Sequence, residues 1–310
     1  MANFMSNNSS KQYFTLSWRV EKGQSGKLLR EFLSGRDISK RALTAIKFGG
    51  GRILVNGLEA TVRYSLHEGD QVEVHFPPEA GSAGLKAERL PLSIKYEDDY
   101  VMVLVKPPYM NTIPSREHPD GSLANALAGY YQEKGLLSTV HVVTRLDRDT
   151  SGLLLIAKHR HVHHLFSEQQ KAGGVKRTYD AVAEGSISPE SGRIEAPIGR
   201  NPDSIIEREV REDGQYACTL YQVMGYYEGF SHVKLRLLTG RTHQIRVHLS
   251  HLGHPLAGDD LYGGSRQAIL RQALHCSQLT FYHPFLNKEL TFSEPLPEDM
   301  KKLLASIKRL

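Results

Sequence analysis

Short apolar runs bounded by turn residues most constrain the fold of this 310-residue chain. The longest cover residues 101–105, before Pro107-Pro108, and residues 153–157, after a Thr-Ser-Gly turn at 150–152. Runs of this length predict buried strands and are far too short to cross a bilayer. Together with further strand patterns and scattered helices, they predict an α+β fold with a mixed, mostly antiparallel β-sheet flanked by helices.

Positive charge is concentrated near the N-terminus. Residues 1–78 carry 11 Lys and Arg against 7 Asp and Glu, whereas the rest of the chain carries 28 against 27. This distribution is typical of a polyanion-binding module joined to a nearly neutral body. We therefore expect a flexible start over residues 1–12, a small module over 13–78, a linker over 79–90 and a larger domain over 91–310.

The cysteines and the first residues indicate the compartment. Cys218 and Cys276 are far apart and form no CxxC pair, which argues against a disulfide framework or a thiolate zinc site. Residues 1–10 are polar and contain no apolar stretch of signal-peptide length. These features predict a cytoplasmic protein.

The sequence of the small module predicts a definite order of strands and helices. Strands are expected at 14–20, 52–57 and 71–76, and helices at 27–33 and 39–47, with Ser39 as an N-cap and Asn56-Gly57 as a hairpin turn. The segment resembles the small RNA-binding domain named after ribosomal protein S-four, notably at residues 29–33, 53–57 and 66–70. The resemblance implies that helical cations bind RNA phosphates, for which the candidates are Lys27, Arg30, Lys40, Arg41 and Lys47.

The segment 143–152 places one carboxylate, Asp147, between Arg145 and Arg148. Because the predicted strand at 153–157 follows directly, Asp147 is expected on a loop held against a rigid strand, where catalytic groups are often found. Flanking cations favour the ionised form of a carboxylate. Taken alone, the same pattern is more typical of a surface ion pair.

Three ordered motifs in the larger domain favour the catalytic interpretation. They are Arg145-Leu146-Asp147 with the turn at 150–152, the run Gly-Arg-Thr-His-Gln-Ile-Arg at 240–246, and Gly253-His254-Pro255 with Gly258-Asp259. With these motifs, residues 92–300 resemble the pseudouridine synthases of the RluA type, which isomerise uridine within RNA. One departure is Thr144, where that family often has His.

The resemblance implies a role for each matching residue. Asp147 would be the catalytic carboxylate, Tyr179 would lie against the target uracil, and Arg246 would pair with Asp147. The Tyr179 hydroxyl would be available to assist removal of the C5 proton. Arg145 would help to displace the base and fill the space it leaves. The remaining substrate contacts are expected from three residues: Lys106, Arg241 and His243.

Further elements of the larger domain are expected as strands at 93–96, 177–184, 218–225, 232–238 and 278–282, and as helices at 122–134 and 159–170. Another helix is expected within 239–249, capped by Thr242. No cofactor and no metal are expected, and RNA is the expected partner of a monomeric enzyme. Large-subunit ribosomal RNA is favoured over transfer RNA as the substrate.

Two other interpretations stay open. The chain could be an RNA-binding homologue that has lost activity, although it retains Asp147, Tyr179 and Arg246. It could instead be a metal-dependent hydrolase using histidines. The spacing of His243, His248, His251 and His254 does not match the i, i+4 pair of a His-Glu-x-x-His helix, which disfavours the hydrolase.

Overall fold

The computed structural model describes residues 13–79, 81 and 84–310, so the flexible segment expected over residues 1–12 lies outside the described residues. The first strands and helices are β1 (Thr15–Arg19), α1 (Leu29–Ser34), α2 (Lys40–Phe48), β2 (Arg52–Val55), β3 (Leu58–Glu59) and β4 (Gln71–His75). The strands form an antiparallel sheet in the order β1-β4-β2-β3. A separate apolar core lies between this sheet and the two helices and includes Leu33, Ile46 and Val72.

Local signals define the ends of these elements as expected. The Ser39 hydroxyl accepts a hydrogen bond from the Ala42 amide at 3.1 Å and so caps α2. Asn56 and Gly57 join β2 to β3 with φ values of 53° and 79°. Positive φ at both positions is what a tight hairpin turn requires, and Asn-Gly supplies it at little cost.

The larger part begins with β5 (Ser93–Glu97), β6 (Val101–Lys106), α3 (Leu123–Lys134), β7 (His141–Val142), β8 (Ser151–Ala157), α4 (Arg160–Lys171) and β9 (Lys176–Glu184). It continues with β10 (Ser191–Glu195), β11 (Ile198–Arg200), β12 (Arg208–Val210), β13 (Cys218–Tyr227), β14 (Phe230–Leu237), α5 (Gln244–His251), β15 (Leu274–His283), β16 (Lys288–Ser293) and α6 (Glu298–Ser306). The expected strands and helices are present, whereas β7, β10, β11, β12, β16 and α6 were not anticipated.

The central sheet has the strand order β10-β13-β14-β9-β15-β8-β6-β5, with β16 beside β15 and β7 beside β8. Among the described strand pairs, β15 with β8 is parallel and the others are antiparallel, which confirms the mixed, mostly antiparallel prediction. β8 is buried along its whole length. Gly152 has φ 114°, and a Cβ at this position would collide with the Cys276 backbone. The start of β8 therefore needs glycine where β15 approaches.

Aromatic stacking joins the small sheet to the larger part. The Phe14 ring stacks on His159 with centroids 4.0 Å apart, and Phe76 stacks on His161 at 5.0 Å. The Glu79 carboxylate accepts a hydrogen bond from the Arg160 amide at 2.7 Å. None of the helices in the described ranges combines the length and apolar character that a bilayer-spanning helix needs.

Candidate active site

Asp147 lies on the loop between β7 and the buried strand β8, as expected. The Thr112 hydroxyl donates to the Leu146 carbonyl at 2.7 Å, and the Leu146 amide donates to the same hydroxyl at 3.2 Å. On the same loop, the Thr144 hydroxyl accepts from the Leu155 amide at 2.9 Å. These bonds fix the backbone on the N-terminal side of Asp147, so that its carboxylate is held by a rigid frame. Thr144, the departure from the family pattern, serves here as a loop anchor.

Lys106 was expected at the substrate, and this expectation is wrong. Its side chain is fully buried, and Nζ donates to the carbonyls of Pro107, Met110 and Arg148 at 2.8, 2.7 and 2.9 Å. Three acceptors use all three hydrogens of an ammonium group. Burial lowers the pKa of Lys106 to about 7, against the opposing effect of Asp149. Lys106 therefore stabilises the loop that carries Asp147 by binding backbone carbonyls on its buried side.

Arg246 lies between two carboxylates. Its Nη1 is 3.5 Å from Asp147 Oδ2, so the expected pairing with Asp147 is present. A shorter, two-pronged contact joins its Nε and Nη2 to both oxygens of Asp259, each at 2.7 Å. Burial by itself lowers the pKa of Arg246, but Asp259 and Asp147 outweigh it and raise that pKa. Asp259 is thus the main anchor of a guanidinium that also faces Asp147.

Tyr262 connects this pair to the start of α5. Its ring lies against the Arg246 guanidinium, with Cζ 4.8 Å from the ring centroid. Its hydroxyl accepts from the Arg208 amide at 2.9 Å and bonds His243 Nδ1 at 2.7 Å. Burial lowers the pKa of His243, opposed by Asp147. At pH 7 these conditions favour a neutral His243 ring fixed by Tyr262.

The N-terminus of α5 differs from the prediction. The helix begins at Gln244, and His243, with φ 57°, precedes it as the cap residue in place of Thr242. The Gln244 side chain accepts from the Arg241 amide at 2.9 Å and from the Thr239 hydroxyl at 2.8 Å. The left-handed His243 turns the chain so that this loop borders the cavity.

One cavity of about 370 Å³ brings the candidate residues together. Its volume falls in the range of small-molecule sites. Of the seven residues expected at the catalytic or substrate-binding site, only Lys106 does not line this cavity. The six that do are Arg145, Asp147, Tyr179, Arg241, His243 and Arg246.

Tyr179 is 4% exposed and reaches the cavity from β9. Burial raises the pKa of Tyr179 well above its ordinary value, against the opposing effect of Arg177. The help expected from the Tyr179 hydroxyl in removing the C5 proton stays a prediction. The ring face remains available for stacking against a base.

The five cations expected to bind RNA lie outside this cavity. All are exposed, on α1, on α2 or just before α1: Lys27, Arg30, Lys40, Arg41 and Lys47. Their exposure is compatible with phosphate contacts, and what they bind stays a prediction.

The histidines of α5 make internal contacts. His248 bonds the Thr219 hydroxyl at 2.8 Å and the Ala196 carbonyl at 3.0 Å through its two ring nitrogens. His254 Nδ1 bonds the Glu184 carbonyl at 2.9 Å. Within the described ranges, no group of three or more His, Cys, Asp or Glu side chains is arranged to hold a metal ion.

Comparison with known proteins gives the class. Residues 100–251 match the family described as RNA pseudouridylate synthase. The chain is 54% identical over 276 residues to the uncharacterized RNA pseudouridine synthase YjbO of Bacillus subtilis (strain 168), covering 89% of this chain and 98% of that protein. The chain therefore belongs to the RNA pseudouridine synthase family, whose members isomerise uridine in RNA to pseudouridine.

Further relatives narrow the comparison to the RluA group. The ribosomal large subunit pseudouridine synthase D of Yersinia pestis is 39% identical over 235 residues, covering 71% of this chain and 72% of that protein. Among solved structures, human RNA pseudouridylate synthase domain containing 1 has a TM-score of 0.60 at 26% identity, covering 72% of this chain and 91% of that chain.

Proposed function

We propose that this protein converts specific uridines of large-subunit ribosomal RNA to pseudouridine, with Asp147 as the catalytic carboxylate. One observation carries the proposal: the Asp147 carboxylate, the Tyr179 ring and the Arg246 guanidinium border a single cavity. The reaction breaks the N1–C1′ bond, turns the uracil and forms a C5–C1′ bond. N1 ends with a proton and C5 loses one, so that nothing else is consumed.

Asp147 acts at the ribose, as a nucleophile or as a base. Its carboxylate is 3.5 Å from Arg246 Nη1, close enough for an ion pair that orients it toward the cavity. Tyr179 offers a ring face on which the base can rest while it turns. Because the Tyr179 side chain is buried in the cavity wall, its ring is held in place for that contact.

Arg145 is suited to assist base extrusion. It is exposed, lines the cavity beside Asp147, and forms no ion pair or hydrogen bond among the described residues. Extruding a base costs a few kcal/mol of stacking. A guanidinium is planar and stacks on bases, so Arg145 can offset part of that cost by filling the vacated position.

The choice of ribosomal RNA rests on two supports. Several relatives at 35–39% identity bear the name ribosomal large subunit pseudouridine synthase D. The exposed cations of α1 and α2 would add phosphate contacts away from the cavity, which suits a large folded RNA. This function would place the protein in the cytoplasm, and we propose that it acts as a monomer.

The test uses RNA labelled with tritium at C5 of uridine. Transcripts of large-subunit ribosomal RNA and of transfer RNAs are incubated with the wild type and with Asp147→Ala. We expect tritium release from the ribosomal transcript with the wild type alone. Release from transfer RNA only would redirect the substrate assignment. RNA binding with no release from any RNA would favour the inactive homologue.

A further inference from the structure

A buried arginine of the cavity wall has no hydrogen-bonding or ionic partner among the residues that the structure describes. Arg177 is 9% exposed, and its Nε is enclosed without a hydrogen bond. Neither an ion pair nor a hydrogen bond joins its guanidinium to any residue in the described ranges. Arg177 stands two residues before Tyr179 on β9, so both side chains project from the same face of the strand into the cavity.

The other buried cations of the domain are compensated. Arg246 has Asp259 and Asp147, and Arg271 has Asp299 at 2.6 Å. Lys158 has Glu97 at 2.9 Å, and Lys106 has three carbonyl oxygens. Burying a charge without such partners is costly. An unpaired guanidinium facing a cavity is therefore the feature expected where the missing anion arrives with a ligand.

Gly240 leaves space for the Arg177 side chain. A Cβ built on Gly240 would stand 2.8 Å from Arg177 Nη2, so a larger residue would press on the guanidinium. Gly240 and Arg177 both line the cavity, with Gln170 of α4 on the same wall. Arg177 is the second residue of β9, after the exposed Lys176, which places it nearer the surface than the enclosed Tyr179.

We propose that Arg177 binds a phosphodiester of the RNA next to the target uridine. The proposal rests on the proposed function, because it takes RNA as the ligand. Uridine itself is neutral, and the phosphodiester is the fixed anion that RNA brings. With the base against Tyr179 and the ribose at Asp147, the backbone runs toward the cavity mouth, where Arg177 provides a planar fork for phosphate oxygens.

The experiment compares Arg177→Gln with Lys176→Gln as the matched control. Lys176 carries the same charge one residue away, but it is exposed and pairs with Glu289 at 3.4 Å. Turnover is followed by tritium release from the ribosomal transcript. Binding is followed by fluorescence anisotropy of a labelled oligouridylate at several salt concentrations. Thermal unfolding of the RNA-free proteins completes the set.

For Arg177→Gln we expect KM to rise about 10- to 100-fold with kcat within about threefold of the wild type. The slope of log affinity against log salt should become less negative by about 0.7, the value for one phosphate of a single strand. Arg177→Lys should recover most of that slope. The RNA-free Arg177→Gln protein should melt no lower than the wild type, because an uncompensated charge has been removed.

Three results would overturn the proposal. A lower melting temperature for Arg177→Gln would make the arginine structural. A loss in kcat with unchanged KM and salt slope would mean that Arg177 contacts the departing uracil and not a phosphate. Equal behaviour of Arg177→Gln and Lys176→Gln would remove any special role. If the wild type turns over no RNA, the proposed function fails, while the oligouridylate and melting comparisons still decide the role of Arg177.

Discussion

Replacing Asp259 by Asn tests how Arg246 is held. Both oxygens of Asp259 bond the guanidinium at 2.7 Å, and the Asp259 side chain is 1% exposed against 8% for Arg246. Removing one partner of a buried ion pair typically costs about 3–5 kcal/mol, because the other charge stays buried. Arg246 retains Asp147 at 3.5 Å, and the introduced amide retains one oxygen acceptor. We therefore expect Asp259→Asn to lower the free energy of unfolding by about 2–3 kcal/mol.

The neighbouring carboxylate supplies a control for this change. Asp260 is 64% exposed and forms a single contact of 3.2 Å with Arg266, which is 54% exposed. Exposed ion pairs contribute at most about 1 kcal/mol, so Asp260→Asn should hardly change the free energy of unfolding. Urea unfolding of both variants, followed by circular dichroism, gives the two free energies. The reasoning is refuted if Asp259→Asn matches Asp260→Asn within about 0.5 kcal/mol, the usual scatter for surface changes.

Three further predictions concern other parts of the site and the joint with the small sheet. Tyr262→Phe keeps the ring against Arg246 but loses the hydroxyl and its two hydrogen bonds, so kcat should fall about 10-fold and the free energy of unfolding by about 1–2 kcal/mol. An unchanged kcat would show that the hydroxyl has no part in positioning His243. Lys106→Met leaves three buried carbonyls unpaired and should cost about 2–4 kcal/mol in urea unfolding together with most of the turnover; full turnover would contradict its support of the loop. Burial lowers the pKa of His161 and of His159 to about 4, so the unfolded chain binds more protons and stability should decline as pH falls from about 6.5 toward 4. The pH dependence of the urea midpoint should be weaker in His161→Phe, and an identical dependence would exclude His161 as its source.

Local patterns in the sequence predicted much of the architecture. The runs at 101–105 and 153–157 became the adjacent strands β6 and β8, because a five-residue apolar stretch has to be buried on both faces. The N-cap at Ser39 and the hairpin turn at Asn56-Gly57 involve only residues within three positions along the chain. Both could therefore be predicted directly from the local sequence. Short, partly polar strands such as β11 and β12 carry no such signal and depend on their neighbours.

The candidate site was predictable as a set of residues but not as a set of contacts. The ordered motifs indicated Asp147 and Arg246, and the cavity contains both. Asp259 was recognised as part of a motif, but its bond to Arg246 was not predicted, because that bond depends on how the loop after α5 folds back. Lys106 was misplaced for a related reason, since its three carbonyl acceptors come from separate turns. The Gly258-Asp259 motif was the available signal for a role near the site.

A comparison of two carboxylates tests the central claim most directly. Asp147 lines the cavity, whereas Asp149 of the same turn pairs with Arg148 at 3.5 Å and does not line it. Asp147→Asn and Asp149→Asn each remove one charge with little change in shape. Single-turnover tritium release from the ribosomal transcript is measured beside RNA affinity. The account predicts no release by Asp147→Asn at near-normal affinity, with release by Asp149→Asn retained. Release by Asp147→Asn at the wild-type rate would contradict it.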